Sequence, residues 1–324
     1  MTPGRRGRAR AAYTWPLTRE TMTRPTFTVV VPTHRRPRLL REALASVAAQ
    51  TLAPDQVVVV DDAGDDETRA VVAAFPGYEY ALNDRARGGS GARNAGAALA
   101  RGEWLAFLDD DDLWLPHKLA AVAALVASAS PDLGLVYSAS EQFDGETGAA
   151  LSRSRPTARG RVLQEVLYRN AVGGMSVVVV RRDLFTAVGG LDESFPSLQD
   201  MELYVRLAER AAFDFVDDVL VRFRVADHGR ITFDPRKKLA GAKMFAAKYR
   251  HLLAASPRLR HRAASRTFLF ALAAGDRGEA LRSLPWTAAG LVVDPANVGY
   301  VLRGVASRAK GSLAGRTTPA ATSP

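Results

Sequence analysis

The chain has 324 residues, 47% hydrophobic and 24% charged, with a formal net charge of +10 and no cysteine. This is the profile of an ordinary globular protein, and it excludes disulfide staples, thiolate metal sites and cysteine nucleophiles. The excess of 44 Lys plus Arg over 34 Asp plus Glu suits anionic partners.

That excess sits at the ends. The first 24 residues hold six arginines and one acid, lack periodicity and, as 1–25, are expected to be a disordered basic N-terminus. Met22 offers an alternative start. No apolar core follows Arg10 as in a signal peptide, and no run reaches the roughly 18 apolar residues that cross a bilayer. A cytoplasmic location is therefore expected. Aromatic residues are not interleaved with the basic stretches, which argues against nucleic acid as a partner.

From Phe27 strands alternate with helices. FTVVV is a buried strand, and Arg38 to Ala49 is helical, with Leu40, Leu44 and Val47 on one face. QVVVV, YEYAL, EWLAFL and LGLVYS are the next strands, with helices through Val71, over Ala92–Ala100 and from Pro116 to about Ser128. Such alternation predicts an α/β fold, a mostly parallel sheet with helices on both faces. After Tyr137 the rhythm changes. Residues 140–160 read as a loop or hairpin, a helix is expected from about Leu198 to Arg210, and two short strands near 213–216 and 220–225. The boundaries expected are a body over 26–235, a helical extension over 236–310 and a disordered tail over 311–324.

The stretch WLAFLDDDDLWLP sets Asp109, Asp110, Asp111 and Asp112 between apolar runs. Charge runs are usually solvated turns. A carboxylate cluster at a strand's carboxyl end is also where open α/β sheets bind ligands, and a hard divalent cation would relieve the repulsion. Asp61 and Asp62 repeat the arrangement after the second strand, and Pro32, Thr33 and His34 close the first. Together these form a rim suited to a nucleotide. RARGGSGARNAG brings Arg85, Arg87 and Arg93 beside four glycines before a helix. It is either a flexible surface loop or a phosphate cradle. In QDMELYVRL, Asp200 shares a helix face with Leu203, Tyr204 and Leu207, so it points inward or into a cleft, whereas Glu202 falls on the polar face. Its alternative role is a first-turn carboxylate stabilised by the helix dipole.

VVVPTHRRP, VVVVDDAG, GGSGARNAGAALARGEWLAFLDDDDLWLP, VGGLDESF and QDMELYVRL occur in the order found in family 2 glycosyltransferases, and the chain resembles that family over roughly Phe27–Arg224. The resemblance implies a GT-A fold, a UDP-, GDP- or dTDP-linked sugar donor, Mg²⁺ or Mn²⁺, and inversion. It implies that Pro32, Thr33 and Asp62 hold the nucleoside with Asp61 beside it. Asp109, Asp110 and Asp111 would form the DXD-type motif, with Asp111 the metal ligand and Asp109 beside it. Asp112 would orient the loop or cap the next helix. Asp200 stands at the catalytic-base position, preceded by Gln199 where the family usually has an acid. Gly173, Gly174 and Met175 would line the acceptor side. His228 is either an exposed loop histidine or a diphosphate contact. The family often has Asn in place of Arg35 and Gly-Ser in place of Ala63-Gly64, which leaves the donor open.

The acceptor expected is a sugar or a lipid-linked intermediate. Val298, Val301, Leu302 and Val305 form one face of a late helix with Arg303, Arg308 and Lys310 elsewhere. It would either touch acidic membrane, at the inner face, or pack onto the domain. Two rival functions are a nucleotidyltransferase, which would want a Gly-rich signature after the first strand, and a non-catalytic nucleotide- or membrane-binding protein.

Overall fold

The computed structural model describes residues 24–84, 88–225 and 234–314, apart from the side chains of 307–314. In chain order the elements are β1 (Phe27–Thr33), α1 (Pro37–Ala48), β2 (Gln56–Asp61), α2 (Asp66–Ala73), β3 (Glu79–Leu82), α3 (Gly88–Leu99), β4 (Trp104–Phe107) and β5 (Leu113–Trp114). They continue with α4 (Lys118–Ala127), β6 (Leu133–Asp144), β7 (Ala150–Ser154), α5 (Leu163–Tyr168), a 3₁₀ turn (Met175–Val177), β8 (Val179–Arg181), α6 (Arg182–Ala187), α7 (Gln199–Ala208) and β9 (Ala212–Val225). Five helices close the described chain: α8 (Pro235–Lys248), α9 (Arg250–Ala254), α10 (Pro257–Ala274), α11 (Arg277–Val293) and α12 (Pro295–Ala314). Helix α12 thus continues past Gly311, where disorder was expected.

The chain divides into two compact units that do not follow chain order. The first comprises residues up to Gly160, Gly174–Ala187 and Ala211–Val225; the second comprises Arg161–Gly173, Val188–Arg210 and everything from Ala226.

The first unit is α/β. Among the described residues its sheet runs β3-β2-β1-β4-β8-β6-β9-β5, with β7 on β6. β1, β2, β3 and β4 are parallel, as is the β6–β9 pair; β8, β5 and β7 pair antiparallel. The parallel character expected from the alternation therefore holds mainly before Tyr137, and the later strands make the sheet mixed. β1 and β2 are buried throughout, as strands covered on both faces must be. Helix α3 lies close enough to β1 that a Cβ at Gly96 would sit 2.4 Å from Val30 Cγ1. Glycine is required there by that approach, whatever the loop before it does.

Where two short strands were expected near 213–225, β9 is one strand. Its register against β6 shifts around Ser138–Ser140, so exposed Asp217 and Asp218 ride an irregular stretch that sequence pattern alone reads as a break.

The second unit is helical. α7 begins after Leu198, held in the left-handed region at φ 65°. Leu203, Tyr204, Leu207, Phe245 and Tyr249 are buried, and the Phe245 and Tyr249 rings pack 4.9 Å apart.

Candidate active site

The register of β1 against β2 sets Thr33 opposite Asp61, and β4 runs alongside β1 with Phe107 opposite Val30. The carboxyl ends of three neighbouring strands thus deliver Thr33, Asp61–Asp62 and Asp109–Asp112 to one rim. The acidic run is a tight turn between β4 and β5, closed by the Asp112 N–H donating to Asp109 O at 3.1 Å.

Its four carboxylates have different surroundings. Asp110 is buried and accepts from the Thr33 hydroxyl at 2.8 Å, with Arg36 Nη1 at 3.3 Å. Burial pushes Asp110 up to about 6, against the pull of Thr33 and Arg36. Asp111 faces the same Arg36 at 3.4 Å. Asp109 pairs with Arg93. Asp112 is buried, accepting from the Ser176 hydroxyl at 2.7 Å and the Arg224 N–H at 3.3 Å. Oxygens of Asp109, Asp111 and Asp112 lie within 4.8 Å of one another. A set made only of carboxylate oxygens is the chemistry Mg²⁺ and Mn²⁺ prefer. Asp110 is outside that set. Asp112 orients the turn and does not cap α4, whose N-cap is His117.

The turn rests on residues 176–178. Ser176 Oγ accepts from the Asp109 N–H at 3.1 Å, Trp114 Nε1 donates to Ser176 O at 2.9 Å, and Lys118 Nζ donates to Val177 O at 3.0 Å. Arg224 Nε donates to Asp111 O at 3.2 Å, and its guanidinium pairs with Glu42 of α1.

At the end of β2, Asp61 is fully buried and accepts from Tyr80 Oη at 3.0 Å and the Ala63 N–H at 2.8 Å. Burial, then the Asp61 contact, raises the Tyr80 phenol. Asp62 is half-buried and accepts from Asn83 Nδ2. Pro32 is buried within β1. Arg35 sits at φ 53° and Gly64 at φ 71°. Asn enters the left-handed region more easily than Arg, so Arg35 holds a backbone conformation that its own side chain disfavours.

In the second unit Asp200 lies half-buried in the first turn of α7. Asn170 Nδ2 donates both to Asp200 Oδ2 at 2.9 Å and to Gly173 O at 3.1 Å. Gly173 has φ 115°, a conformation open to glycine, and its carbonyl also accepts from Tyr204 Oη at 3.1 Å. Glu202 contradicts its expected place on the polar face. It is fully buried, with Arg206 at 2.6 Å, Lys248 at 2.8 Å and Tyr249 Oη at 2.8 Å. Burial would raise Glu202, but these three donors outweigh it and lower it. Asp192 is resisted by burial yet held at about 2 by Lys248 and Ser194.

Gly174 and Met175 return to the first unit. A Cβ on Gly174 would meet the Phe223 ring at 3.3 Å, and Met175 is buried. Arg85, Arg87 and His228 lie outside the described residues. Arg36, Ser176, Arg224, Asn170 and Tyr80 were not singled out from sequence. Of these only Arg36 carries a signal, a basic residue just past the carboxyl end of β1.

The family model described as Glycosyl transferase family 2 matches residues 28–184. Those residues are just under half of the chain, and over them it is similar to the family 2 glycosyltransferases; the fold is of the GT-A type. It is 26% identical over 189 residues to an uncharacterized glycosyltransferase of Haemophilus influenzae, covering 58% of this chain and 63% of that one. It thus spans less than two thirds of that relative's length. Among solved structures it resembles S. aureus TarS 1–349 in complex with UDP-GlcNAc, with TM-score 0.63, 18% identity, and coverage of 80% of this chain and 79% of that one. It also resembles the mannosyltransferase PcManGT from Pyrobaculum calidifontis in complex with GDP-Man and Mn²⁺, with TM-score 0.53, 24% identity, and coverage of 87% and 85%.

Proposed function

We propose that this chain transfers a sugar from a UDP-, GDP- or dTDP-linked donor to the hydroxyl of a sugar or lipid-linked acceptor, with inversion and with Mg²⁺ or Mn²⁺. Residues 26–235 are taken as its catalytic part. The observation that carries the reading is the rim at which β1, β2 and β4 deliver a hydroxyl and six carboxylates. Two similarly folded proteins were solved with nucleotide sugars, one of them with Mn²⁺.

In this reading Thr33 and Asp62 hold the nucleoside, with Pro32 and Asp61 shaping that end. Asp62 accepts from base or ribose donors, while Asp61 keeps Tyr80 and the chain after β2 in place. Asp111 and Asp109 would hold the metal together with Asp112, which joins the expected pair, while Asp110 is tied to Thr33. The metal, when bound, supplies Lewis-acid stabilisation of the departing diphosphate. Arg36 and Arg93 add positive charge at the same rim.

Asp200 is the general base. It takes the acceptor hydroxyl's proton while that oxygen bonds to C1 and the bond from C1 to the diphosphate oxygen breaks. Glu202 and Asp192 are unsuited, because Lys248 engages both and holds them as matched, low-affinity proton acceptors. Asn170 aims the Asp200 carboxylate.

The test is thermal unfolding with UDP, GDP and dTDP, each with and without Mn²⁺. A ligand that binds only the folded state raises Tm by mass action. One nucleotide should do so, and only with the metal present. A chain indifferent to all three in both conditions does not bind such donors.

A further inference from the structure

Helix α11 is built inside out. Its covered face is small and polar: Ala280, Ser283, Thr287 and Gly290 are buried. The two hydroxyls donate to carbonyls of their own helix, Ser283 to Glu279 O and Thr287 to Ser283 O, each at 2.9 Å. A Cβ on Gly290 would press within 2.7 Å of Asn297 Nδ2 and 2.8 Å of His261 Cβ, so close packing against α10 and α12 explains the small residues. The outward face is apolar. Leu281 is 69% exposed, Trp286 49% and Val292 87%, and Leu284, Leu291 and Val293 are exposed beside them. Residues 283–293 carry no ionisable side chain. An ordinary surface helix has the opposite pattern, and a contiguous exposed apolar strip marks a contact surface.

Charge selects the occupant. Between residues 234 and 306 the sequence holds 13 Lys plus Arg against four Asp plus Glu. Arg277, Arg282 and Arg303 are exposed at the ends of the strip, and Arg260 lies over the Trp286 ring at 5.1 Å. A second copy meeting this face about a two-fold axis would bring those arginines together. Anionic headgroups would pair with them while acyl chains accept the leucines and valines, and Trp suits that boundary. No helix among the described residues is long and apolar enough to cross a membrane, so α11 would lie along the surface.

We infer that the outward face of α11, continued by Leu302 and Val305 of α12, docks the protein in the plane of an anionic lipid surface. This extends the contact expected from sequence on α12 onto α11: Leu302 and Val305 of that face stay exposed, while Val301 is buried. The contact is independent of sugar transfer and requires no donor.

The experiment is flotation of the full chain with phosphatidylcholine vesicles, with and without phosphatidylglycerol, comparing wild type with Leu281→Glu/Val292→Glu. Both side chains face water, so circular dichroism and Tm should be unchanged. Wild type should float with the anionic vesicles only, and the double variant should bind about tenfold more weakly or worse, given two lost apolar insertions and two added negative charges. Wild type failing to float, or a double variant floating equally well, overturns the inference. So does a wild-type dimer in sedimentation velocity that becomes monomeric in the variant with no vesicle binding, since the strip would then join two copies.

Discussion

The acidic turn of the first unit and the acidic first turn of α7 in the second treat negative charge differently. Glu202 of α7 is enclosed by Arg206, Lys248 and Tyr249 at 2.6–2.8 Å. In the turn, Arg36 spans Asp110 and Asp111 at the long distances of 3.3 and 3.4 Å, and three carboxylates converge within 4.8 Å. Charge matched at short range by buried partners stabilises a fold. In the turn four carboxylates are crowded at a rim with Arg36 and Arg93 beside them, and such a concentration of oxygen ligands suits a further cation. The two regions should therefore respond differently to losing one carboxylate.

The largest effect is expected at the turn. Asp111→Ala removes an oxygen of the proposed metal set and no core apolar group. Transfer should fall below detection, Mn²⁺-dependent nucleotide binding should vanish, and Tm without ligand should stay near wild type. Calorimetric titration of UDP and GDP with Mn²⁺ checks it, and unchanged affinity would remove Asp111 from the metal set.

Asp200→Asn sharpens the contrast within α7. The change is nearly isosteric and still accepts from Asn170, but it takes no proton. Turnover should drop by about 10²–10⁴-fold, the usual cost of a general base, while donor affinity remains. Loss of donor binding as complete as in Asp111→Ala would make Asp200 a donor-side group; untouched turnover would place the base elsewhere.

Glu202→Ala inverts that pattern. It strands Arg206 and Lys248 around a hole, and breaking a buried pair by removing one partner costs about 3 kcal/mol or more. Lys248 is partly exposed, which holds the loss toward the lower figure. Urea unfolding should show it, with donor affinity per folded molecule unchanged. A variant as stable as wild type would mean that the cluster contributes no net stability.

These contrasts were only partly legible in the sequence. The rim was legible because β1, β2 and β4 are continuous apolar runs, and the polar residues after each run must emerge at the same sheet edge. Glu202 was not, because a helical face says nothing about which later element covers it, and Lys248 and Tyr249 arrive from more than forty residues away. Ser176 was missed for the same reason: its bonds to Asp109 and Asp112 join β4's end to the start of β8. The mixed half of the sheet was hidden because β8 is only three residues long and β9 reads as broken at Asp217.

The smallest effect concerns what lies beneath the turn. Lys118 is fully buried, donates to Val177 O at 3.0 Å and has Trp114 5.2 Å away. Burial lowers it from 10.5 to about 7. The unfolded chain then keeps this proton until about 10.5, whereas the folded chain releases it near 7. Across that window the unfolded state binds more protons, so stability rises with pH; below it both states are protonated and the cost of burying the charge is constant and full. Lys118→Met keeps the volume and removes the titration, at the expense of leaving the Val177 carbonyl without its donor at every pH. The stability of wild type minus that of Lys118→Met should therefore climb between about pH 7 and pH 9, by at most about 1.4 kcal/mol per unit, and flatten below pH 7. Urea midpoints for both proteins across that range measure it, since other titrating groups cancel in the difference. A difference that does not change with pH would mean that Lys118 stays charged in the folded protein, held by Val177 O and the Trp114 ring.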